Sequence, residues 1–333
     1  MSPDASVSGV SIDMVEAAAS RIRGYVRRTP MIEVVQARDA PTRNPLYLKL
    51  ESLQVTGAFK ARGAMNRLLT TPAEALKRGI VTASGGNHGV AVARAGFLAG
   101  VPTTVYLPPN ASRAKINSLS QWNATARIIG ERWDDADAAA QSQAERDGCV
   151  YFHPFKDPEL VAGQGTVALE MLEDVPDANV YVVAIGGGGL IAGVATVVHA
   201  RNPRARIFGV EPVGSPTLHA SLVAGGPVRL ERPWTRVATM SCGMTAQMIY
   251  DIVAKHVEEI VLVEDERLLE AARWIRSEFS IRADLSAAAA IAALRLGKIP
   301  LKQGERIATL ICGADDAALA MYETRAFSRP IES

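Results

Sequence analysis

Residues 51–64, ESLQVTGAFKARGA, set Lys60 in a run of small residues that reads neither as a good helix nor as a good strand. A lysine in such a run is either a solvated loop cation or an amine enclosed in a pocket. In the second case, loss of water lowers its pKa and makes it a nucleophile toward carbonyl groups. Two glycine-rich turns supply what such an amine would need. In VYVVAIGGGGLIAG, β-branched and apolar residues end in Gly186, Gly187, Gly188 and Gly189, and an apolar helical pattern follows at once. Glycines let backbone N–H groups approach an anion closely, and a helix N-terminus adds roughly half a positive charge, so the run reads as a phosphate cup. It has neither the Gly-Lys-Ser/Thr ending of a nucleotide loop nor the G-x-G-x-x-G spacing of a dinucleotide fold. In TASGGNHGVAVA, the residues Ser84, Gly85, Gly86 and Asn87 precede a second apolar helical pattern. They would cap a helix in any protein, and they equally offer two backbone donors and two polar side chains to a carboxylate. His88, taken alone, is more often a structural hydrogen bonder than a base. Two anion cradles and one enclosed lysine suggest a phosphorylated aldehyde cofactor joined to a nitrogen, with a carboxylate substrate beside it.

These residues must be positioned by an alternation of strands and helices. LYLKLES, GIVTAS, PTTVYLP and ATARIIG read as strands, and helical patterns follow the last three as NHGVAVARAGFLAG, RAKINSLSQWN and WDDADAAAQSQAERDG. The alternation resumes with NVYVVAIGGGG, ARIFGVEP, EEIVLVEDE and RIATLICGADD as strands. Such an order predicts parallel α/β sheets with helical crossovers. With 333 residues the chain exceeds the roughly 250–300 at which single cores stop growing, so two interlocked lobes are expected.

Composition narrows the partners. The 36 Lys and Arg nearly cancel the 35 Asp and Glu, which disfavours nucleic acid and anionic membranes and leaves a small molecule or a second copy of the chain. Cys149, Cys242 and Cys312 lie far apart with no Cys-x-x-Cys spacing, so neither a disulfide framework nor a structural zinc site is expected. A reducing cytoplasm fits this usage. The first residues lack a basic start followed by an apolar core, so no processing is expected.

The motifs LQVTGAFKARGA, SGGNHG, HPFKDPELVAGQGT, GGGGL, GVEP and CGADD run in order from residue 53 to 316. In them the chain resembles the fold-type II (tryptophan synthase β) pyridoxal-phosphate enzymes, within the serine/threonine dehydratase and serine racemase group. The resemblance implies a two-lobed α/β fold, each lobe an open, mostly parallel sheet flanked by helices. Residues 1–48 with 152–333 would form the large cofactor-binding lobe and residues 49–151 a small mobile one. It implies pyridoxal 5'-phosphate as cofactor, with Lys60 as the lysine that joins the aldehyde and Phe59 as the aromatic packed beside it. Asn87 matches the asparagine at the cofactor's 3'-oxygen, Gly186 through Gly189 match the phosphate loop, and Ser84 through His88 resemble the substrate-carboxylate loop. Cys312 stands where relatives place Ser, Thr or Cys against the pyridine nitrogen. The implied reaction is β-elimination from a hydroxy amino acid such as L-threonine or L-serine, giving a 2-oxo acid and ammonia, in a homodimer. Serine racemase, 3-hydroxyaspartate dehydratase and a β-replacement transferase are the alternatives.

Departures from the pattern bear on these alternatives. Gly85 stands where serine racemases carry a second serine as the opposite-face acid and base, which demotes racemisation. Glu211 fits the first carboxylate of the divalent-metal site of many racemase-like members, but Thr217 stands where a second would be expected. With one hard anionic ligand left, a Ca²⁺ or Mg²⁺ site competes with Glu211 as a structural acid at a strand end. Asp284 replaces a usual glutamate before LSAAAA, and only residues 317–333 follow the last motif, so no appended regulatory domain is expected.

Overall fold

The computed structural model describes residues 9–109, 111 and 113–314. Its strands are β1 (Met31–Glu33), β2 (Leu46–Lys49), β3 (Ile80–Ala83), β4 (Thr103–Leu107), β5 (Thr125–Ile128), β6 (Val150–Tyr151), β7 (Val180–Ala184), β8 (Arg206–Pro212), β9 (Glu259–Val263) and β10 (Ile307–Leu310). Six of them form one sheet in the order β1-β2-β10-β7-β8-β9, and four form another in the order β5-β4-β3-β6. All neighbours run parallel except β1 and β2. The smaller sheet draws its strands from residues 80–151, and the larger draws from both sides of that span. Every residue of β2, β3 and β10 is buried, which is why these strands read as unbroken runs without polar alternation.

The reading of residues 51–64 as neither helix nor strand is corrected at its second half. Two short 3₁₀ turns, Glu51–Leu53 and Val55–Gly57, lead into a helix over Lys60–Thr70 that begins at the lysine itself. Gly63 lowers the intrinsic helix preference of this segment, but packing overrides it. A Cβ on Gly163, in the helix Pro158–Asp174, would lie 2.7 Å from the Gly63 Cα, so the two helices touch backbone to backbone. The same helix repeats the arrangement on its other side. There a Cβ on Gly193, in the helix Gly189–Arg201, would lie 2.7 Å from the Gly165 backbone nitrogen. The GQG of the HPFKDPELVAGQGT motif therefore seats the lysine helix and the phosphate-loop helix against one central helix.

Charges are buried where these helices meet β2. The fully buried Arg62 holds Glu51 through two hydrogen bonds of 2.8 and 2.7 Å and Glu170 through one of 2.6 Å. Lys49, also fully buried, ion-pairs with Glu170 at 2.9 Å and Asp174 at 2.8 Å. Opposite charges so close offset the cost of removing both from water, and each member leaves its partner exposed to that cost if it is lost.

Candidate functional site

The candidate residues gather where parallel strands end, which is where open α/β sheets leave a crevice. Ser84 through His88 follow β3, Gly186 through Gly189 follow β7, and Cys312 follows β10. The lysine segment is fastened to the last of these. Ala58 bridges Gly313, the Phe59 N–H donates to the Cys312 carbonyl at 3.1 Å, and the Ala314 N–H donates to the Gly57 carbonyl at 2.8 Å.

The Lys60 amine donates to the Pro154 carbonyl at 3.1 Å and lies 5.2 Å from the centre of the Phe59 ring. Desolvation lowers its pKa from 10.5 to about 8, against a smaller opposing pull from Cys312 and Cys242. Two buried histidines stand near it. The His88 ring faces the Phe152 carbonyl at 3.2 Å, and burial, reinforced by Lys60, drives its pKa down to about 3. His153 Nδ1 accepts the N–H groups of Phe155 and Lys156 at 3.2 and 3.0 Å, and burial drives its pKa to about 2. Both rings are neutral near pH 7, so the amine meets no imidazolium that would depress it further.

The glycine run is closely walled. Gly188 has φ +92°, a conformation natural to glycine, at the cap of the helix Gly189–Arg201. A Cβ on Gly187 would lie 2.2 Å from the Phe155 ring, and one on Gly186 would lie 2.7 Å from the Thr239 carbonyl. Thr239 also neighbours Gly86, whose added Cβ would meet its methyl at 3.5 Å, so one loop residue adjoins both cradles. Gly85 has ordinary space beside it, since an added Cβ would meet Pro108 at 3.4 Å and Ala111 at 3.5 Å.

Asn87 opens the helix Asn87–Ala99, its amide held at both ends. Nδ2 donates to Asp284 Oδ2 at 3.0 Å, and Oδ1 accepts from the Lys115 ammonium at 2.6 Å. Asp284 in turn accepts from Ser286 Oγ at 2.6 Å and the Ala287 N–H at 2.8 Å. Gly313 runs beneath this contact, for a Cβ there would lie 2.5 Å from Asp284 Oδ2. Cys312 is buried 3.7 Å from Ser286 Oγ, and burial, with Asp284 next, raises its thiol pKa so that it stays protonated. A desolvated amine with no acid bonded to it among the described residues, a glycine cup at a helix start and a neutral thiol near the amine fit a phosphorylated pyridine aldehyde.

Glu211, the candidate metal ligand, is engaged with backbone N–H groups. Its carboxylate accepts the N–H groups of Leu218 and His219 at 2.8 and 2.9 Å, at the start of the helix Thr217–Ala224. Thr217 donates instead to the Cys242 carbonyl at 2.7 Å. Among the described residues no group of three His, Cys, Asp or Glu could hold a metal ion. The end of the CGADD motif, Asp315 and Asp316, lies outside the described residues.

Residues that sequence reading did not bring to this site are His153, Phe155, Lys115 and Thr239. Phe155 and His153 lie within the quoted HPFKDPELVAGQGT motif and had a local signal. Thr239 lies in RVATMSCGMT, a segment whose departure from the family pattern points to the substrate and ring region, whereas Lys115 sits in a segment with no glycine or motif signature and is brought here only by the chain's return through space.

The family model described as pyridoxal-phosphate dependent enzyme matches residues 22–313. The L-threonine ammonia-lyase of Thermotoga maritima is 35% identical over 306 residues, covering 92% of this chain and 76% of the relative. That of Geobacter sulfurreducens is 36% identical over 303 residues, covering 91% and 75%. Among solved structures, maize serine racemase matches with a TM-score of 0.88 at 29% identity, over 96% of this chain and 98% of that one. Threonine deaminase isoform 2 from Solanum lycopersicum matches with a TM-score of 0.86 at 27% identity, over 96% and 95%.

Proposed function

The chain belongs to the pyridoxal-phosphate dependent enzyme family, and from that premise we propose an ammonia-lyase that converts a hydroxy amino acid such as L-threonine or L-serine to a 2-oxo acid and ammonia. The observation that carries the reading is the Lys60 amine, desolvated to a pKa of about 8 and fastened beside a protonated Cys312. Lys60 and Gly186 through Gly189 would hold pyridoxal 5'-phosphate by its aldehyde and phosphate, and the bound cofactor supplies an electron sink for the bonds at Cα.

The chain's own groups do the rest. With a pKa near 8, a useful share of Lys60 is a free amine at neutral pH, which the attachment requires and which lets it take the Cα proton. The N–H groups of the Ser84–His88 loop, at the start of the helix Asn87–Ala99, hold the substrate carboxylate. Asn87 is kept in one orientation by Asp284 and Lys115. The His88 side chain is bonded to the Phe152 carbonyl, so its contribution is its backbone. Cys312 can share a hydrogen bond with a ring nitrogen but supplies no full negative charge there, which suits elimination better than transamination. Gly85 provides no acid or base on the opposite face, which disfavours racemisation. Residues 49–151, moving against 1–48 and 152–333, would open and close the crevice; the separate smaller sheet supports this for residues 80–151, whereas Lys49 and the segment 57–63 are joined to the larger sheet and to the helix Pro158–Asp174. A homodimer belongs to the same proposal on family grounds.

The test is a screen of the cofactor-loaded protein with L-serine, L-threonine, 3-hydroxyaspartate and their β-substituted analogues, measuring 2-oxo acid and ammonia together. Equal molar release of both from at least one hydroxy amino acid is expected. Substitution products without ammonia would show a transferase, and no product from any would contradict the reading.

A further inference from the structure

We propose that Ser286 is a positioning residue for Cys312: it takes the thiol hydrogen, leaves the sulfur's lone pairs to the cofactor's ring nitrogen, and connects that nitrogen to the carboxylate of Asp284. The ring nitrogen's place at Cys312 rests on the cofactor reading above. Asp284 and Ser286 stand two apart in the turn that precedes the helix Ala289–Arg295. The Asp284 N–H donates to the Gly313 carbonyl at 3.0 Å, which seats this turn against the residue after Cys312. Both side chains are buried there, as is the thiol.

The hydrogen bonds give this chain a direction. Asp284 Oδ1 accepts the Ala287 N–H at 2.8 Å, and Oδ2 accepts the Asn87 amide at 3.0 Å. N–H donors on both oxygens favour the ionised carboxyl group, so the hydrogen in the 2.6 Å contact between Ser286 Oγ and Oδ1 belongs to the serine. A hydroxyl has one hydrogen. With it committed to Asp284, Ser286 Oγ meets Cys312 Sγ, 3.7 Å away, with lone pairs alone, and the thiol is the donor of that contact. A sulfur whose hydrogen is so directed can only accept from a ring nitrogen, which favours the protonated ring. A thiol free to turn could instead donate to the unprotonated one. The charge of Asp284 thus reaches the nitrogen through two neutral groups, with less effect than a carboxylate in contact and more than a thiol alone. Of the other charged groups, Lys60 opposes Asp284 at the thiol, and Lys115 stands 2.6 Å from the far end of the Asn87 amide. Neither is altered in the variants that test the chain.

The test is the NMR chemical shift of the ring nitrogen in isotopically labelled pyridoxal phosphate, followed against pH in the holoenzyme, which reads the proton on that nitrogen without turnover. The wild type should keep this proton to a pH about one unit higher than Ser286→Ala does, a roughly tenfold difference in proton affinity, as for the loss of one hydrogen bond. Ser286→Thr keeps the hydroxyl and should restore the wild-type midpoint. In a Cys312→Ala background, Ser286→Ala should shift nothing further, because its effect passes through the sulfur. Thermal midpoints close to that of the wild type show that the variants keep the fold. An unchanged midpoint in Ser286→Ala, an equal shift with and without Cys312, or a wild-type nitrogen that carries no proton at any pH overturns the proposal. Failure of the cofactor reading shows separately, as a protein that takes up no labelled pyridoxal phosphate, and it removes the proposal with it.

Discussion

Lys60 holds its position at a cost that pH can reveal. Its pKa is about 8 in the folded protein and 10.5 as an ordinary lysine, so between those values the unfolded chain binds more protons and stability rises with pH. Below pH 8 the penalty is fully present. In cofactor-free protein, Lys60→Met should therefore stabilise by roughly 3 kcal/mol at pH 7, and the gap should close as pH approaches 10.5. Denaturant titrations of both proteins across that range check this, and a pH-independent gap would show that the amine is not desolvated. Gly85 makes the second prediction at this scale. Its backbone is outside the left-handed region and an added Cβ meets neighbours at 3.4 and 3.5 Å, so Gly85→Ser should fold. A hydroxyl there should raise the ratio of D-serine to pyruvate formed from L-serine, read by chiral chromatography with pyruvate measured in the same sample. Substantial D-serine from the wild type would refute the role given to Gly85. The identities of Lys60, Asn87, the glycine run and Cys312 were legible because each sits in a local pattern. What Asn87 bonds to was not, because Lys115 and Asp284 are remote in the chain and meet it only after folding.

At the scale of elements, the glycines of the lysine helix and its neighbours determine how closely the helices pack. Gly163→Ala should destabilise by about 2–4 kcal/mol, since the new methyl must displace backbone rather than a flexible side chain. Gly226→Ala is the control: nothing lies within 4 Å of a Cβ there, and its effect should stay within about 0.5 kcal/mol. Equal losses in denaturant unfolding would mean that the helix crossing is looser than described. The strands were readable as apolar runs because parallel strands buried on both faces carry no alternation. The helix Lys60–Thr70 was not, because its stability comes from Gly163 and the buried ion pairs of Arg62 rather than from its own propensities. The start of the helix Pro158–Asp174 did carry a signal, Asp157 capping Glu159 and Leu160 ahead of Pro158, inside a motif read for its family likeness alone.

For the molecule as a whole, the site draws on both sheets, with one loop after a strand of the smaller sheet and two after strands of the larger. A ligand held by all three should raise the unfolding temperature of cofactor-free protein in a concentration-dependent way. Lys60→Ala should keep part of that rise through the glycine cup while losing turnover. The parallel α/β class was legible from the alternation of elements, whereas the fastening of the lysine segment to the chain after β10 depends on contacts between distant segments such as Ala58 with Gly313. The central claim, that Lys60 is the anchor of the cofactor in this crevice, is tested most directly by borohydride reduction of the cofactor-loaded protein followed by peptide mapping. The account predicts the reduced cofactor's mass on the peptide containing Lys60 and nowhere else. The same mass on another lysine, or a protein that takes up no pyridoxal phosphate, would contradict it.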